Sequence, residues 1–406
     1  YYSLQKAIDA ASGGDTIKLV DDIGFSAYEA GTASVAGTSV TNGIDTYGFK
    51  TDADAGWTND QFNGMKAYFT DDAALDEYAY VIIDTYANLD GDRDLIAMDG
   101  DVGSDDTDGR WPAYNNSMTL VGIIDPGSSK CVYRRPSSGD AITLDNTGGN
   151  PTAGLWIEIV SNNTGSPITI DHSGLLNDGT NGCLGWLEDM YHIHHINFTG
   201  GNSSNTQNLY SIDGGANDKN GLWVHDCSFD YVKGAVHVTD SGSTGIIITD
   251  NICSWNAFNG HTTMISITAG YIARNEISGG TLTLDDNGRY GIMTSGGGPV
   301  GGSVIEFNIV RDMTSTATVT AGLGFAGIGT GDITARISNN VIYNIDQQDA
   351  DMVYVGGIVC EYGGVAEIVN NIIHTCDVGI NIDPSGTGVM VQELDYNCIY
   401  LSLIHI

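Results

Sequence analysis

The amino-acid sequence predicts an all-β fold in which short strands stack into a solenoid. Eight segments between residues 190 and 400 align without gaps, and they share two apolar columns with a third column between them. That middle column holds six asparagines, at Asn251, Asn275, Asn308, Asn340, Asn371 and Asn397. It recurs every 24 to 33 residues, which is the period of a repeat architecture.

Each repeat has the composition of two or three short β-strands. The aligned segments alternate β-branched apolar residues with polar ones, and Gly and Asn lie between the segments, as expected of half-buried strands. A second apolar strand follows in each repeat, for example GAVHV at 234–238. Coils stacked at about 4.8 Å would align the asparagines. We predict a ladder of hydrogen-bonded amides, with each asparagine in the left-handed conformation of a tight turn.

These columns resemble the single-stranded right-handed parallel β-helix of the pectin-lyase-like superfamily, over roughly residues 118–400. The resemblance implies the fold, with functional residues on the outward face of one strand column and on the loops beside it. It transfers no catalytic residues, because the segments NTD, GHG and RIK are absent, and within the repeats only an Asp pair at 285–286 is present. The segment YRRPSSGD (133–140) lacks the Arg-x-Pro-x-x-Arg spacing of pectate lyases.

The order of the chain predicts three parts. Residues 1–23 form an N-terminal capping helix and a first strand, since SLQKAIDAAS has one apolar face and TIKLV follows two glycines. Residues 24–117 lack the repeat columns and form a small inserted subdomain rich in Asp. Residues 118–406 form the β-helix, without a C-terminal cap. The final LSLIHI resembles sequencing-adapter read-through on a metagenomic fragment.

Composition narrows the choice of partners and compartment. The formal charge is −36, from 51 acidic and 15 basic residues, which disfavours binding to nucleic acid or anionic membranes. We find no apolar run of membrane-spanning length. The seven cysteines leave disulfide pairing open, and Cys227, Cys253 and Cys360 occupy strand positions expected to face the core. We expect a secreted, cell-surface or virion protein.

An acidic loop within the insert is a candidate calcium site. Residues 84–110 alternate Asp with Gly, and calcium requires several hard oxygen ligands converging through a sharp turn. The loop departs from the EF-hand pattern, because Tyr86 and Ala97 stand at ligand positions. A solvated acidic loop is the alternative. The candidate Ca²⁺ ligands are Asp90, Asp92, Asp94, Asp99 and Asp101.

A histidine-rich patch is predicted on the outward face of the aligned strands. His192 and His194 are two residues apart and therefore point the same way, and His225 is expected beside His194 on the next rung. Such a face could bind a transition metal, or it could be a polar surface without further role. Trp223, expected beside His192, and Tyr271 are candidates for carbohydrate binding.

Candidate catalytic residues occur on two further surfaces. Glu367 and Glu393 follow Arg336 on successive rungs, so they could form a glycosidase carboxylate pair or only a surface charge ladder. On another strand column, His237 is predicted to lie about one rung from a loop with Asp285, Asp286 and Arg289. The outward positions around His237 are Ser266, Met293, Val359 and Asn381.

Two functional classes follow from these observations. The first is a protein that binds a polysaccharide or cell-surface glycan and cleaves it as a polysaccharide lyase or glycoside hydrolase. The second is a non-enzymatic β-helix, such as an adhesin-like protein or a phage tail-spike or fibre; for a virion protein we expect a homotrimer. The fold alone does not choose between them.

Overall fold

Our computed structural model of the chain describes residues in two compact units. One unit comprises residues 1–23 and 136–406, and the other comprises residues 24–135. The described residues are 4–26, 33–34, 39–41, 45–51, 59, 66–71, 77–86, 95–98, 118–124, 131–134, 142–145, 155–172, 182–200, 210–214, 218–255, 263–282, 289–294, 302–315, 324–331, 334–347, 354–361, 365–382, 390–400 and 403–405.

The larger unit consists of three parallel sheets, and each coil of the chain contributes strands to them in turn. The first sheet has ten strands in the order Thr16–Leu19, Ile157–Ser161, Tyr191–His194, Asn220–His225, Thr244–Thr249, Tyr271–Ala273, Ser303–Glu306, Ala335–Ser338, Val365–Val369 and Met390–Asp395. Every adjacent pair is parallel, and the partners keep one register along the stack except for a shift between Ala366 and Glu367 in the last pair.

The second and third sheets repeat this arrangement. The second sheet runs through Thr169–Asp171, Asn197–Thr199, Ser228–Asp230, Ile252–Ser254, Glu276–Ser278, Ile309–Ser315, Val341–Gln347, Ile372–Cys376 and Cys398–Tyr400, with Thr281–Leu282 also paired to Ile309–Ser315. The third runs through Ile142–Leu144, Gly182–Trp186, Tyr210–Asp213, Gly234–Val238, Ile265–Ile267, Arg289–Thr294, Gly324–Thr330, Tyr354–Cys360, Val378–Ile382 and Leu403–His405. This topology confirms the predicted all-β parallel β-helix.

The core lies between the three sheets and is lined by the predicted apolar columns. In the first sheet, the column from Ile193 to Ile368 is fully buried, whereas Leu394 is 38% exposed. Phe198 and Phe229 stack on adjacent rungs with ring centroids 4.9 Å apart. Cys227, Cys253 and Cys360 are buried free thiols, as predicted. Each coil thus buries its apolar residues against the coils above and below it.

The asparagine column forms the predicted ladder, at the turn between the first and second sheets. The amide oxygen of Asn371 accepts from both the backbone N–H and the side-chain amide of Asn340, at 3.0 Å each. The same double contact links every neighbouring pair from Asn251 to Asn397. Each of these amides also donates to the carbonyl of the apolar column, as Asn340 does to Ile305 at 2.9 Å.

The left-handed conformation belongs to the residue before each asparagine. The predicted left-handed conformation of the asparagines themselves is therefore wrong. The φ angles of this turn column lie between 50° and 61° in eight successive coils, at His195, Asp226, Asp250, Arg274, Phe307, Asn339, Asn370 and Tyr396. In six of these coils the next residue is a ladder asparagine, which is buried in all but the last coil and satisfies backbone groups that the sharp turn leaves unpaired.

The N-terminal helix spans Leu4–Ala10 and is followed by the first strand of the first sheet. Its apolar face is Leu4, Ala7 and Ile8, which are buried together with Ala11. This confirms the predicted helix and its apolar face. No helix within the described part of the chain is long and apolar enough to span a membrane.

The smaller unit is an antiparallel sheet, as expected for an insert. Its strands are Ala33–Ser34, Ser39–Thr41, Asp45–Thr51, Lys66–Asp71, Glu77–Tyr86, Leu95–Met98 and Met118–Ile124, and Cys131–Arg134 also lies within this unit. The strand Ile23–Ser26 crosses the boundary between the units. Because Met118–Ile124 pairs antiparallel with Lys66–Asp71, the insert continues to residue 135 and the predicted boundary at 117 is too early.

We expect Asn340→Ala to lower the free energy of unfolding by about 2–4 kcal/mol, because it leaves the buried amide and N–H of Asn308 without their acceptor. Urea unfolding followed by circular dichroism measures this loss. Asn339→Gly is the matched control, since glycine adopts the φ of 59° at that position freely and should change stability by less than about 1 kcal/mol. Equal losses in the two variants would contradict a structural role for the ladder.

A buried histidine predicts loss of stability in acid. His172 is fully buried, and burial lowers its pKa to about 4 although the charge of Asp171 opposes this. The unfolded chain therefore takes up a proton near pH 6.5 that the folded chain refuses until about pH 4. Stability is retained above about pH 6.5 and falls as the pH drops toward 4, by roughly 3 kcal/mol.

His172→Gln places an amide near the hydroxyl of Ser211, which lies 3.2 Å from His172 Nε2, and it removes the titrating group. Urea unfolding of both proteins at about pH 7 and about pH 4 isolates this contribution from that of the carboxylates. We expect the variant to lose less stability between the two conditions. Identical pH dependence in parent and variant would rule out the buried neutral histidine as a cause.

Candidate functional site

The outward face of the first sheet carries a cluster of imidazole, carboxylate and indole groups on three neighbouring rungs. Strict alternation places Tyr191 and Ile193 in the core and His192 and His194 outside. Parallel register sets His192 between Glu158 and Trp223. It also sets His194 beside His225. The alignment predicted Trp223 beside His192 and His225 beside His194, and the structure confirms both.

The histidine cluster, defined as His192, His194 and His225, brings its ring nitrogens together. One nitrogen from each ring lies within 4.8 Å of those of the other two. The closest pair is His192 Nε2 and His225 Nε2, at 2.5 Å. The rings stack, with centroids of His194 and His225 4.8 Å apart and an interplanar angle of 9°. The side chains are only 12–16% exposed.

Two carboxylates fix the proton positions on these rings. Asp226 Oδ2 lies 2.6 Å from Nδ1 of His225, and Glu158 Oε1 lies 2.8 Å from Nε2 of His194. An ionised carboxylate only accepts hydrogen bonds, so each of these two nitrogens carries a proton. In neutral rings, the lone pairs are then on His225 Nε2 and His194 Nδ1. The latter lies 2.7 Å from Nδ1 of His195, which donates to it.

Burial and neighbouring side chains shift the pKa values of His192 and Glu158. Burial lowers the pKa of His192 to about 4, and nearby His194 and His225 act in the same direction while Glu158 opposes them. The hydroxyl of Thr16 donates to Glu158 Oε2 at 2.6 Å and lowers the pKa of that carboxyl, with His194 adding to the effect against partial burial. At neutral pH, the site therefore pairs a neutral His192 with an ionised Glu158.

Two tryptophans border the histidine cluster. The indole of Trp223 stacks on His192 with centroids 4.4 Å apart and an angle of 11°. Trp156 stands at 70° to Trp223 and 73° to His192. His192 therefore covers one face of the Trp223 ring. Neither Trp223 nor His192 stacks in parallel on the ring of Trp156. Gly221, with φ +80°, leaves room for the ring of Trp156, because a Cβ at this position would lie 3.1 Å from that ring.

The sequence alignment missed Glu158, Trp156, Asp226 and His195. Glu158 and Trp156 lie in LWIEIV, one rung before the first aligned segment, and extending the columns by that rung would have found them. Asp226 and His195 each follow an outward histidine and belong to the left-handed turn column. Their adjacency in sequence was visible, but the reach back to the preceding imidazole depends on the turn.

A second histidine–carboxylate pair lies on the third sheet. His237 Nδ1 is 2.7 Å from Asp213 Oδ1, and the side chains are 29% and 10% exposed respectively. Tyr210 stacks on the imidazole at 4.2 Å. Asp213 was not predicted, although it stands opposite His237 in register. The acceptor Asp213 orients His237 and leaves Nε2 as the nitrogen able to take a proton.

The surroundings predicted for His237 are only partly described. Asp285 and Asp286 lie outside the described residues, as does the side chain of Arg289. The strand Arg289–Thr294 is two strands from that of His237, rather than about one rung away. The predicted outward ladder is in register, but Ser266, Val359 and Asn381 are buried, so it is not the open surface that was expected; Met293 packs against a cluster that contains Val359.

The remaining predicted residues form surface contacts. Glu367 pairs in register with Arg336 and with Glu393, and Arg336 Nε lies 4.0 Å from Glu367 Oε2 with both side chains well exposed. Such a pair contributes little to stability. Tyr271 donates its hydroxyl to Glu306 Oε1 at 2.9 Å. The candidate calcium ligands Asp90, Asp92, Asp94, Asp99 and Asp101 lie outside the described residues.

Comparisons with known proteins add no family to this geometry. Scans against protein-family models, curated proteins and solved structures each found no match.

Proposed function

We propose that this chain is a β-helix protein, of the pectin-lyase-like type, that binds carbohydrate outside the cell or on a virion. The observation that carries the proposal is the half-buried group of Trp156, His192 and Trp223 on the outward face of the first sheet. Aromatic rings contact the apolar faces of sugars, and the neighbouring imidazoles and carboxylates hydrogen-bond to hydroxyl groups.

The repeating surface also suits an extended polymer. Side chains in register with His192 continue along the first sheet through Trp223, Ile247 and Tyr271 to the half-buried Glu367 and the exposed Glu393. Successive rungs lie about 4.8 Å apart, so a linear polysaccharide or cell-surface glycan could contact several rungs in series. The charge of −36 favours neutral glycans over polyanions, unless calcium bridges the two.

We expect the parent protein to bind neutral polysaccharides in affinity electrophoresis and calorimetry. Trp156→Ala and Trp223→Ala should each weaken binding about tenfold, through loss of ring contact area. Tyr400→Ala is the matched control, because Tyr400 is 64% exposed on the second sheet and lies outside this cluster; it should bind as the parent does. Uronate polymers are tested with and without calcium. Undiminished binding by both tryptophan variants would place the glycan site elsewhere.

A glycan-cleaving activity is the second candidate, and the pair of His237 and Asp213 favours it. A histidine oriented by a mostly buried carboxylate can act as a general base, which suits proton abstraction by a polysaccharide lyase or activation of water by a glycoside hydrolase. In either reaction His237 Nε2 would accept the proton. The non-enzymatic adhesin or tail-spike alternative requires no such group.

If the chain cleaves glycans, His237→Gln should lower the rate by about 10²–10⁴-fold. Asp213→Asn should lower it as well, since a neutral amide does not stabilise the protonated imidazole and its NH₂ group can donate to Nδ1 and impose the other tautomer. Reducing ends and the absorbance of unsaturated products distinguish hydrolysis from elimination. His374→Gln, at a histidine stacked on Tyr343 in the second sheet, is the control. Absence of both products from a folded, glycan-binding sample would favour the non-enzymatic class.

A further inference from the structure

The histidine cluster contains an arrangement that glycan binding does not require. Three imidazoles converge, and two of them have a carboxylate on a ring nitrogen, Asp226 on His225 and Glu158 on His194. Sugar recognition needs only single hydrogen-bonding groups on an open face. Convergent ring nitrogens with carboxylates behind them are the usual surroundings of histidine ligands to a metal.

We propose that His192, His194 and His225 bind one Zn²⁺ ion, and that Asp226 and Glu158 orient the imidazoles of His225 and His194. Three nitrogen ligands and an open fourth position suit zinc, which binds imidazole in tetrahedral geometry. Softer and borderline ions such as Co²⁺ would use the same ligands, whereas Ca²⁺ and Mg²⁺ prefer oxygen.

The distances require only side-chain adjustment. Zinc–nitrogen bonds of about 2.0–2.1 Å place two ligand atoms roughly 3.3 Å apart in a tetrahedral site. His192 Nε2 and His225 Nε2, at 2.5 Å, would separate by less than about 1 Å. The third ring nitrogen, within 4.8 Å of the others, would move inward by up to about 1.5 Å. All three rings stand on rigid, paired strands, so rotation of the side chains is sufficient.

Proton positions also favour an ion between His192 and His225. Asp226 keeps the proton of His225 on Nδ1, so Nε2 presents a lone pair toward His192 Nε2. A single proton, carried by His192, now lies between these two atoms. Zinc would take its place, and that proton would move to His192 Nδ1, which is 3.9 Å from Glu158 Oε1. The net charge of the imidazoles does not change.

His194 differs from the other two ligands. Both of its nitrogens are engaged, Nε2 with Glu158 and Nδ1 with His195. It must give up one of these contacts to reach the ion, whereas His225 keeps its carboxylate. We therefore expect loss of His225 to weaken zinc binding more than loss of His194.

Zinc calorimetry on chelator-treated protein tests the proposal. The titration is run in excess Mg²⁺, because a chain with a charge of −36 attracts cations non-specifically. Two spectroscopic readouts accompany it: the visible absorption of bound Co²⁺ and quenching of tryptophan fluorescence by Co²⁺, since Trp223 lies 4.4 Å from His192 between ring centroids.

We expect one zinc per chain in the parent. His192→Gln and His225→Gln should weaken binding by at least about 100-fold, and Asp226→Asn, which keeps all three ligands, by about 10–100-fold. His374→Gln, outside the cluster, should bind as the parent does. Circular dichroism establishes folding of each variant. If His225→Gln does not fold, the single variants Asp226→Asn and His192→Gln test the proposal without it. Absence of zinc binding in Mg²⁺, or unchanged affinity in these variants, would overturn the proposal.

Discussion

The amide ladder at the turn between the first and second sheets is the interaction on which the rest of the fold depends. Each coil must turn sharply at that point, and a residue other than glycine in the left-handed conformation costs about 1–2 kcal/mol. Eight successive coils make this turn. In six of these coils a ladder asparagine offsets the cost by binding free N–H groups and carbonyls of the turn, and it binds to the neighbouring asparagine as well.

The same turn shapes the histidine-rich face. Asp226 and His195 occupy the left-handed position directly after an outward histidine, and from there their side chains return to the preceding imidazole. Strand register supplies the other contacts, since it stacks His192 on Trp223 and brings Glu158 within reach of His194. The site therefore needs no dedicated loop, because it is built entirely from strand and turn positions that every coil possesses.

The aligned sequence columns correctly predicted contacts that depend on strand register. They failed where pairing or burial depends on segments outside the aligned columns. The neighbours of His192, His194 and Glu367 follow from period-two alternation and a fixed rung order, and the structure has them as predicted. The boundary at residue 117 was wrong because Met118–Ile124 is as apolar as a coil strand, yet it pairs antiparallel within the insert. Burial of Val359 and Asn381 could not be predicted either, since alternation specifies which face a side chain is on but not whether that face is covered.

Successive ladder asparagines are separated by as few as 24 and as many as 33 residues, yet their amides meet at the same distance in both cases. Length therefore varies freely around the circumference of a coil, whereas along the axis the structure advances only in whole rungs. An insertion that keeps its coil's asparagine lengthens one loop and leaves the positions of all other coils unchanged. Loss of a coil would have to remove a whole turn from one asparagine to the next. Evolution of such a chain can thus diversify its surface residue by residue while its length along the axis changes only in steps.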